Sequence, residues 1–132
     1  MLKSIFILAF AMSASAFAAE CVNEKGEDIF NQPDIFQAMI EKSASCSQAK
    51  ELAEACAYGS SLDVSTAGLA YEVCSKELSM QKPSKQLNSM LKSMVSLCNK
   101  KYANEQGTMY RSFNAFCNLE SVNWILNLAT PN

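Results

Sequence analysis

Beyond residue 32 the apolar residues recur at the three- and four-residue intervals that place side chains on one face of a helix. Ile35, Phe36, Met39 and Ile40 predict a first helix over about 33–43. Pro33 suits its first turn, where the N–H that proline lacks is not needed. Ser43-Ala44-Ser45 interrupts the pattern. Ser45 and Gln48 then have the spacing of a capping box, in which side chains satisfy free backbone N–H groups. A second helix follows over about 46–57, with Ala49, Leu52, Ala53 and Cys56 inward and Gly59 as its C-cap. Asp63 is a candidate N-cap for a third helix over about 64–80, whose stripe is Leu69, Ala70, Val73, Cys74 and Leu78. Past Pro83, Ser84 caps a fourth helix over about 85–102, and here the periodicity is cleanest: Leu87, Leu91, Met94, Val95, Cys98 and Tyr102. Asn104 to Gly107 is a turn. A last helical region covers about 108–128, as one helix or as two divided at Asn118. Its apolar positions are Met109, Tyr110, Phe113, Phe116, Cys117 and Leu119, then Trp124, Ile125 and Leu128.

No stretch alternates β-branched and polar residues, and four glycines with three prolines are too few for a many-turned β-sandwich. The expected fold is all-α, a small disulfide-stapled bundle of about five helices. Residues 19–32 are polar and irregular and form an N-terminal arm tied down through Cys21. Ahead of the arm lie a short charged start at Met1-Leu2-Lys3, an apolar stretch from Ile5 to Phe10 and the small-x-small site Ala16-Phe17-Ala18. Together these read as a secretory signal peptide over 1–18, with cleavage after Ala18 or Ala19 and a single domain over 19–132. The apolar stretch is shorter than the ~20 residues a membrane-spanning helix needs. The expected location is exported, periplasmic or secreted, in a bacterium.

Export changes how the cysteines are read. Cys21, Cys46, Cys56, Cys74, Cys98 and Cys117 are an even set with no Cys-x-x-Cys pair, which argues for three disulfides over a zinc or redox site. Partners in an antiparallel hairpin lie symmetrically about its turn. Cys98 and Cys117 are centred near residue 107, and Cys46 and Cys74 on residue 60, which leaves Cys21 with Cys56. Cys46 and Cys56 cannot join, because ten residues of straight helix hold them about 15 Å apart.

The charges are uneven. Residues 20–72 carry ten Asp/Glu and three Lys, whereas 73–132 carry seven Lys/Arg and three Glu. The halves complement one another, and the basic half lacks the dense run with interleaved aromatics expected of a nucleic-acid binder. With no histidine in the chain, Ser-His-Asp and Cys-His catalysis and histidine-containing metal sites are excluded. Glu51, Glu54, Glu72 and Glu77 show no spacing that marks a catalytic pair, and Ser60, Ser61, Ser65 and Thr66 read as turn and cap residues. No pattern calls for a cofactor. The methionines and aromatics (Met80, Met90, Met94, Met109, Trp124 and residues 110–116) read as core packing, with a ligand-lining role as the rival. The segment Gly107-Thr108-Met109-Tyr110-Arg111 is the candidate partner-binding site. It is a turn entering a helix, has a cysteine on each side, and ends in the only arginine of the chain.

Two stretches carry a resemblance. The first is Cys46-Ser-Gln-Ala49-Lys-Glu-Leu52-Ala-Glu-Ala-Cys56-Ala57. The second runs from Cys98 through a polar loop to Gly107-Thr108-Met109-Tyr110 and Cys117, with Leu119 and Leu128 in the helix beyond. Together they resemble the exported bacterial family of LprI-type lysozyme inhibitors, over roughly 46–128. The Trp and Arg that this family carries before the cysteine matched by Cys98 have no counterpart in Leu91–Leu97, and Cys21 and Cys74 have none in the family. If those two are an added pair, the resemblance implies a Cys21–Cys74 bridge in place of Cys46–Cys74. It also implies a non-enzymatic protein that binds another protein, lysozyme or a related cell-wall hydrolase. The alternatives are a helical cage carrying a small ligand or lipid, and a periplasmic immunity or stress protein with a dedicated partner.

Overall fold

A computed structural model describes residues 20–130. The signal peptide read at 1–18 lies outside them. The five helices are α1 (Pro33–Glu41), α2 (Cys46–Ala55), α3 (Leu62–Met80), α4 (Lys85–Tyr102) and α5 (Thr108–Ala129). Among the described residues the one β pairing is an isolated antiparallel bridge between Val22 and Asp28 in the arm. The fold is the disulfide-stapled, all-α arrangement that the periodicity implies.

The helix starts follow local chemistry. Pro33 opens α1, with Asp34 in the first turn where the helix dipole favours a negative charge. The Ser45 hydroxyl accepts from the Gln48 amide to start α2. Gln48 reciprocates one residue earlier than a standard capping box, its Oε1 accepting from the Ala44 amide at 3.0 Å. Ser84 caps α4 by accepting from the Leu87 amide at 3.1 Å.

The α2–α3 connection departs from the expectation. The second helix ends at Ala55, with Cys56 and not Gly59 as its C-cap. Ser61 is the N-cap of α3, and Asp63 falls inside the first turn. The cause is the Asp63 carboxylate, whose two oxygens accept from the amides of Tyr58 and Gly59, both at 2.8 Å. Those amides are thereby drawn out of α2 and folded back onto the start of α3. Gly59 makes the reversal with φ at +68°, a conformation that costs glycine little.

The last helical region is one continuous helix, and Asn118 lies in its interior. α5 is the centre of the bundle, touching α2, α3 and α4. Its buried positions are Leu119, Val122, Ile125 and Leu126, joined by Ser112 and Ser121. Met109, Phe113, Trp124 and Leu128, expected to face inward, are exposed. A helix with neighbours on several sides has no single apolar face, so the apolar residues at its ends are left to solvent. In α1, Phe36 and Ile40 are fully buried while Ile35 is exposed. In α3 the buried row runs through Asp63, Thr66, Ala67, Ala70, Cys74 and Leu78, and Leu69 and Val73 flank the core half-buried.

The arm is anchored more firmly than its polarity suggests. Asn23 Oδ1 accepts from the amides of Lys25 and Glu27 and closes a turn at Gly26. Ile29 is buried, and Phe30 stacks on Tyr58 with ring centroids 4.2 Å apart. Three disulfides staple the whole: Cys21–Cys56 joins the arm to α2, Cys46–Cys74 joins α2 to α3, and Cys98–Cys117 joins α4 to α5. Cys21–Cys74, the bridge implied by the family resemblance, is not formed. No helix among the described residues is long and apolar enough to cross a membrane.

Candidate functional site

Helices α3 and α4 are consecutive, yet both lie close against α5 while their backbones stay apart from one another. This is why α4, with the cleanest apolar periodicity, buries only Cys98 fully. Its other inward residues, among them Leu87, Leu91, Met94 and Val95, stay half-buried. The separation leaves a groove of about 510 Å3, within the range of natural ligand sites. Val64, Ala67, Gly68, Tyr71 and Glu72 of α3 form one wall, and Val95 of α4 stands on the other. The floor is a single stripe of α5: Arg111, Asn114, Ala115 and Asn118. At Tyr71 and Val95 the groove continues into a second hollow bordered by Asn88, Lys92, Ser96 and Asn99 of α4.

Two features of this groove are costly for folding alone. The side-chain carbonyl oxygens of Asn114 and Asn118 are buried without a hydrogen-bond partner. Each such acceptor costs about 1–3 kcal/mol until a donor reaches it. The Asn118 amide does donate to Asn99 Oδ1 at 3.3 Å, which ties the floor to α4. Gly68 is the second feature. It lies inside a 19-residue helix, where glycine costs about 1 kcal/mol relative to alanine. Its backbone does not need glycine, and an added Cβ would meet nothing within 4 Å. Its effect on the surface is to keep this wall of the groove bare.

Below the groove the floor is fixed by the buried Asp63, which accepts a hydrogen bond from the Ser112 hydroxyl as well as from the two loop amides. One carboxylate thus joins the α2–α3 loop, α3 and α5. Behind α5, Lys50 of α2 pairs with Glu54 at 2.9 Å and Glu120 at 2.8 Å. Partial burial works against the Lys50 charge, but hydrogen bonds to Glu120 and Glu54 outweigh it and hold the pKa above the ordinary lysine value of 10.5.

The candidate segment Gly107–Arg111 divides between two surfaces. Gly107, Thr108 and Met109 are exposed at the end of the bundle, and Gly107 turns with φ at +113°. Tyr110 is half-buried and meets Phe113 edge-on at 6.1 Å. Arg111 alone reaches the groove. Asn114 and Gly68 escaped the sequence reading and Asn118 entered it only as a possible break in the last helix, because asparagines on a helix and a glycine without a turn carry no binding motif. The glutamates do not converge: Glu72 borders the groove, Glu54 pairs with Lys50, Glu51 accepts from Ser47, and Glu77 accepts from the Cys46 amide. The methionines and aromatics do not line one space either. Met80, Met109 and Trp124 are exposed, and Met90 and Met94 lie against the core. Trp124 and Leu97 flank a separate apolar hollow beside the Cys98–Cys117 bridge. Among the described residues no three His, Cys, Asp or Glu side chains gather as a metal site. No protein-family model matches this chain, and neither does any curated protein or solved structure with which it was compared.

Proposed function

We propose that this chain is an exported, non-enzymatic binding protein whose partner is another protein, a cell-wall hydrolase of the lysozyme type. The observation that supports it best is the open groove between α3 and α4, with Arg111, Asn114 and Asn118 of α5 along it. An open concave surface of this size, part apolar and part polar, suits a binding partner. The three disulfides agree with an oxidising location outside the cytoplasm. The hydrolase as partner class rests on the family resemblance of Cys46–Ala57 and Cys98–Cys117. A small-ligand cage draws less support, since the methionines and aromatics are scattered over several surfaces.

The test is the clearing of a cell-wall suspension by lysozyme in the presence of the mature, oxidised protein. Slowed clearing, saturating near one equivalent, is the expected result. Unchanged clearing at a hundredfold molar excess removes the hydrolase from the proposal.

A further inference from the structure

We infer that the Cys98–Cys117 bridge is a thiol–disulfide exchange site, cleaved by a protein dithiol that enters the apolar hollow between α4 and α5 while the other two bridges stay intact. The three bridges differ in their surroundings. Cys21, Cys46, Cys56 and Cys74 all belong to the shared apolar core, and the last three are at most 1% exposed. Cys98 and Cys117 lie outside that core cluster, and Cys117 is half-buried. Both border a hollow of about 540 Å3 whose apolar lining is Met94, Leu97 and Trp124. Leu97 and Trp124 are exposed, so the bridge is approached from the surface. A thiolate must reach a disulfide sulfur to attack it, so an accessible bridge exchanges readily and one enclosed in a core waits for unfolding. The exposed apolar side chains around the bridge also give a protein dithiol an area to bury during the exchange.

The environment sets the direction of cleavage. Cys98 is 5% exposed, so the incoming thiolate meets the sulfur of Cys117. A new S–S bond forms on Cys117, the bond to Cys98 breaks, and its electron pair leaves on the Cys98 sulfur. The Ser121 hydroxyl lies 3.5 Å from that sulfur and can donate to the thiolate as it forms. In the oxidised protein this hydroxyl donates to the Cys117 carbonyl at 2.8 Å, and rotation about one bond redirects it. Lys101, three residues after Cys98, lines the same hollow and favours the negative charge. Glu120, three residues after Cys117, lines it too, and its carboxylate is paired with Lys50. The second thiol of the dithiol then attacks the reductant's own bridging sulfur and releases Cys117. Two electrons and two protons pass to the bridge, so the dithiol is oxidised to a disulfide and this protein is left with two thiols. The element released is α4, whose backbone lies close to α5 and to no other helix. Cys21–Cys56 and Cys46–Cys74 still hold the arm, α2 and α3 together.

The test treats the mature, oxidised protein with reduced thioredoxin, and in parallel with dithiothreitol, without denaturant. Free thiols are alkylated with iodoacetamide at timed intervals and assigned by peptide mass spectrometry. Cys98 and Cys117 should be labelled together and at least about tenfold faster than Cys21, Cys46, Cys56 and Cys74. A thioredoxin lacking its second cysteine should be trapped as a mixed disulfide on Cys117. These readouts need no variant of this protein and so stand even where a substitution impairs folding. Ser121→Ala should slow opening by dithiothreitol about threefold while the helical circular-dichroism spectrum is kept. Leu97→Gln, at an exposed position, should slow the thioredoxin reaction and leave the dithiothreitol reaction unchanged. The inference is overturned if all three bridges open at one rate, if Cys21–Cys56 or Cys46–Cys74 opens first, or if thioredoxin is trapped on Cys98. A thioredoxin rate that Leu97→Gln leaves unchanged removes the hollow as the point of entry.

Discussion

Asp63 receives the amides of Tyr58 and Gly59 and the hydroxyl of Ser112 at a site closed to solvent. Hydrogen bonds to a charged group contribute about 1.5–3 kcal/mol each, and the donors left behind carry their own desolvation cost. Asp63→Ala is therefore expected to destabilise the domain by at least about 3 kcal/mol. Ser112→Ala, which removes one donor, should cost about 1–2 kcal/mol. Urea denaturation of the two single variants and the double variant checks both values, and the double variant should cost less than their sum because the residues share a bond. Lys50 shows the opposite balance. Its proton is held more tightly in the folded chain than in the unfolded one. The contribution is thus complete at neutral pH, and is lost only as pH climbs past the ordinary lysine value of 10.5 and through the raised folded one. Its partners are well exposed, so Lys50→Met should change stability by less than about 1 kcal/mol near pH 7. The difference between this variant and the parent should shrink as pH rises past 10.5 in a pH series of thermal midpoints.

α4 is held differently from its neighbours. It rests on α5 alone, only Cys98 is fully buried, and the Cys98–Cys117 bridge is its covalent tie. Few buried contacts mean cheap local opening, so amide hydrogens of α4 should exchange before those of α3 and α5. Replacing both cysteines by serine opens a loop of sequence separation 19 and should cost about 3 kcal/mol. The loss should appear first as faster exchange confined to α4. The same loose seating produces the groove, because a fourth helix pressed against α3 would fill it. The element-level reading from sequence was good for α4 as a helix and poor for its burial. Leu87, Leu91, Met94 and Val95 form a proper amphipathic stripe, but periodicity says which face is apolar and not how many neighbours cover it. At the α2–α3 turn the misplaced caps have a single cause. Asp63 has the composition of an N-cap and the geometry of a residue reaching back into the preceding loop.

The molecule as a whole is one apolar core shared by α1, α2, α3, α5 and the arm, with α4 leaning on its rim and three disulfides across its joints. Each bridge of this loop length contributes about 3–4 kcal/mol, against a total stability of about 5–15 kcal/mol for an ordinary domain. Complete reduction with dithiothreitol should therefore abolish cooperative thermal unfolding near 37 °C, read as loss of the near-ultraviolet dichroism of Trp124 and the tyrosines. The sequence by itself determined the all-α class, the approximate helices and the expectation of three disulfides, with Cys98 joined to Cys117. Those follow from short-range physics: the 3.6-residue repeat, capping chemistry, and hairpin symmetry that sets Cys98 opposite Cys117. The structure decided that Cys74 pairs with Cys46 and not Cys21. Only the tertiary structure decided that α3 and α4 stand apart, that Asn114 and Asn118 end up as buried unpaired acceptors, and that Gly68 faces open space. Each of these depends on which helices choose α5 as their neighbour. That choice is made by packing between residues far apart in the chain, and it leaves no periodic trace in the sequence.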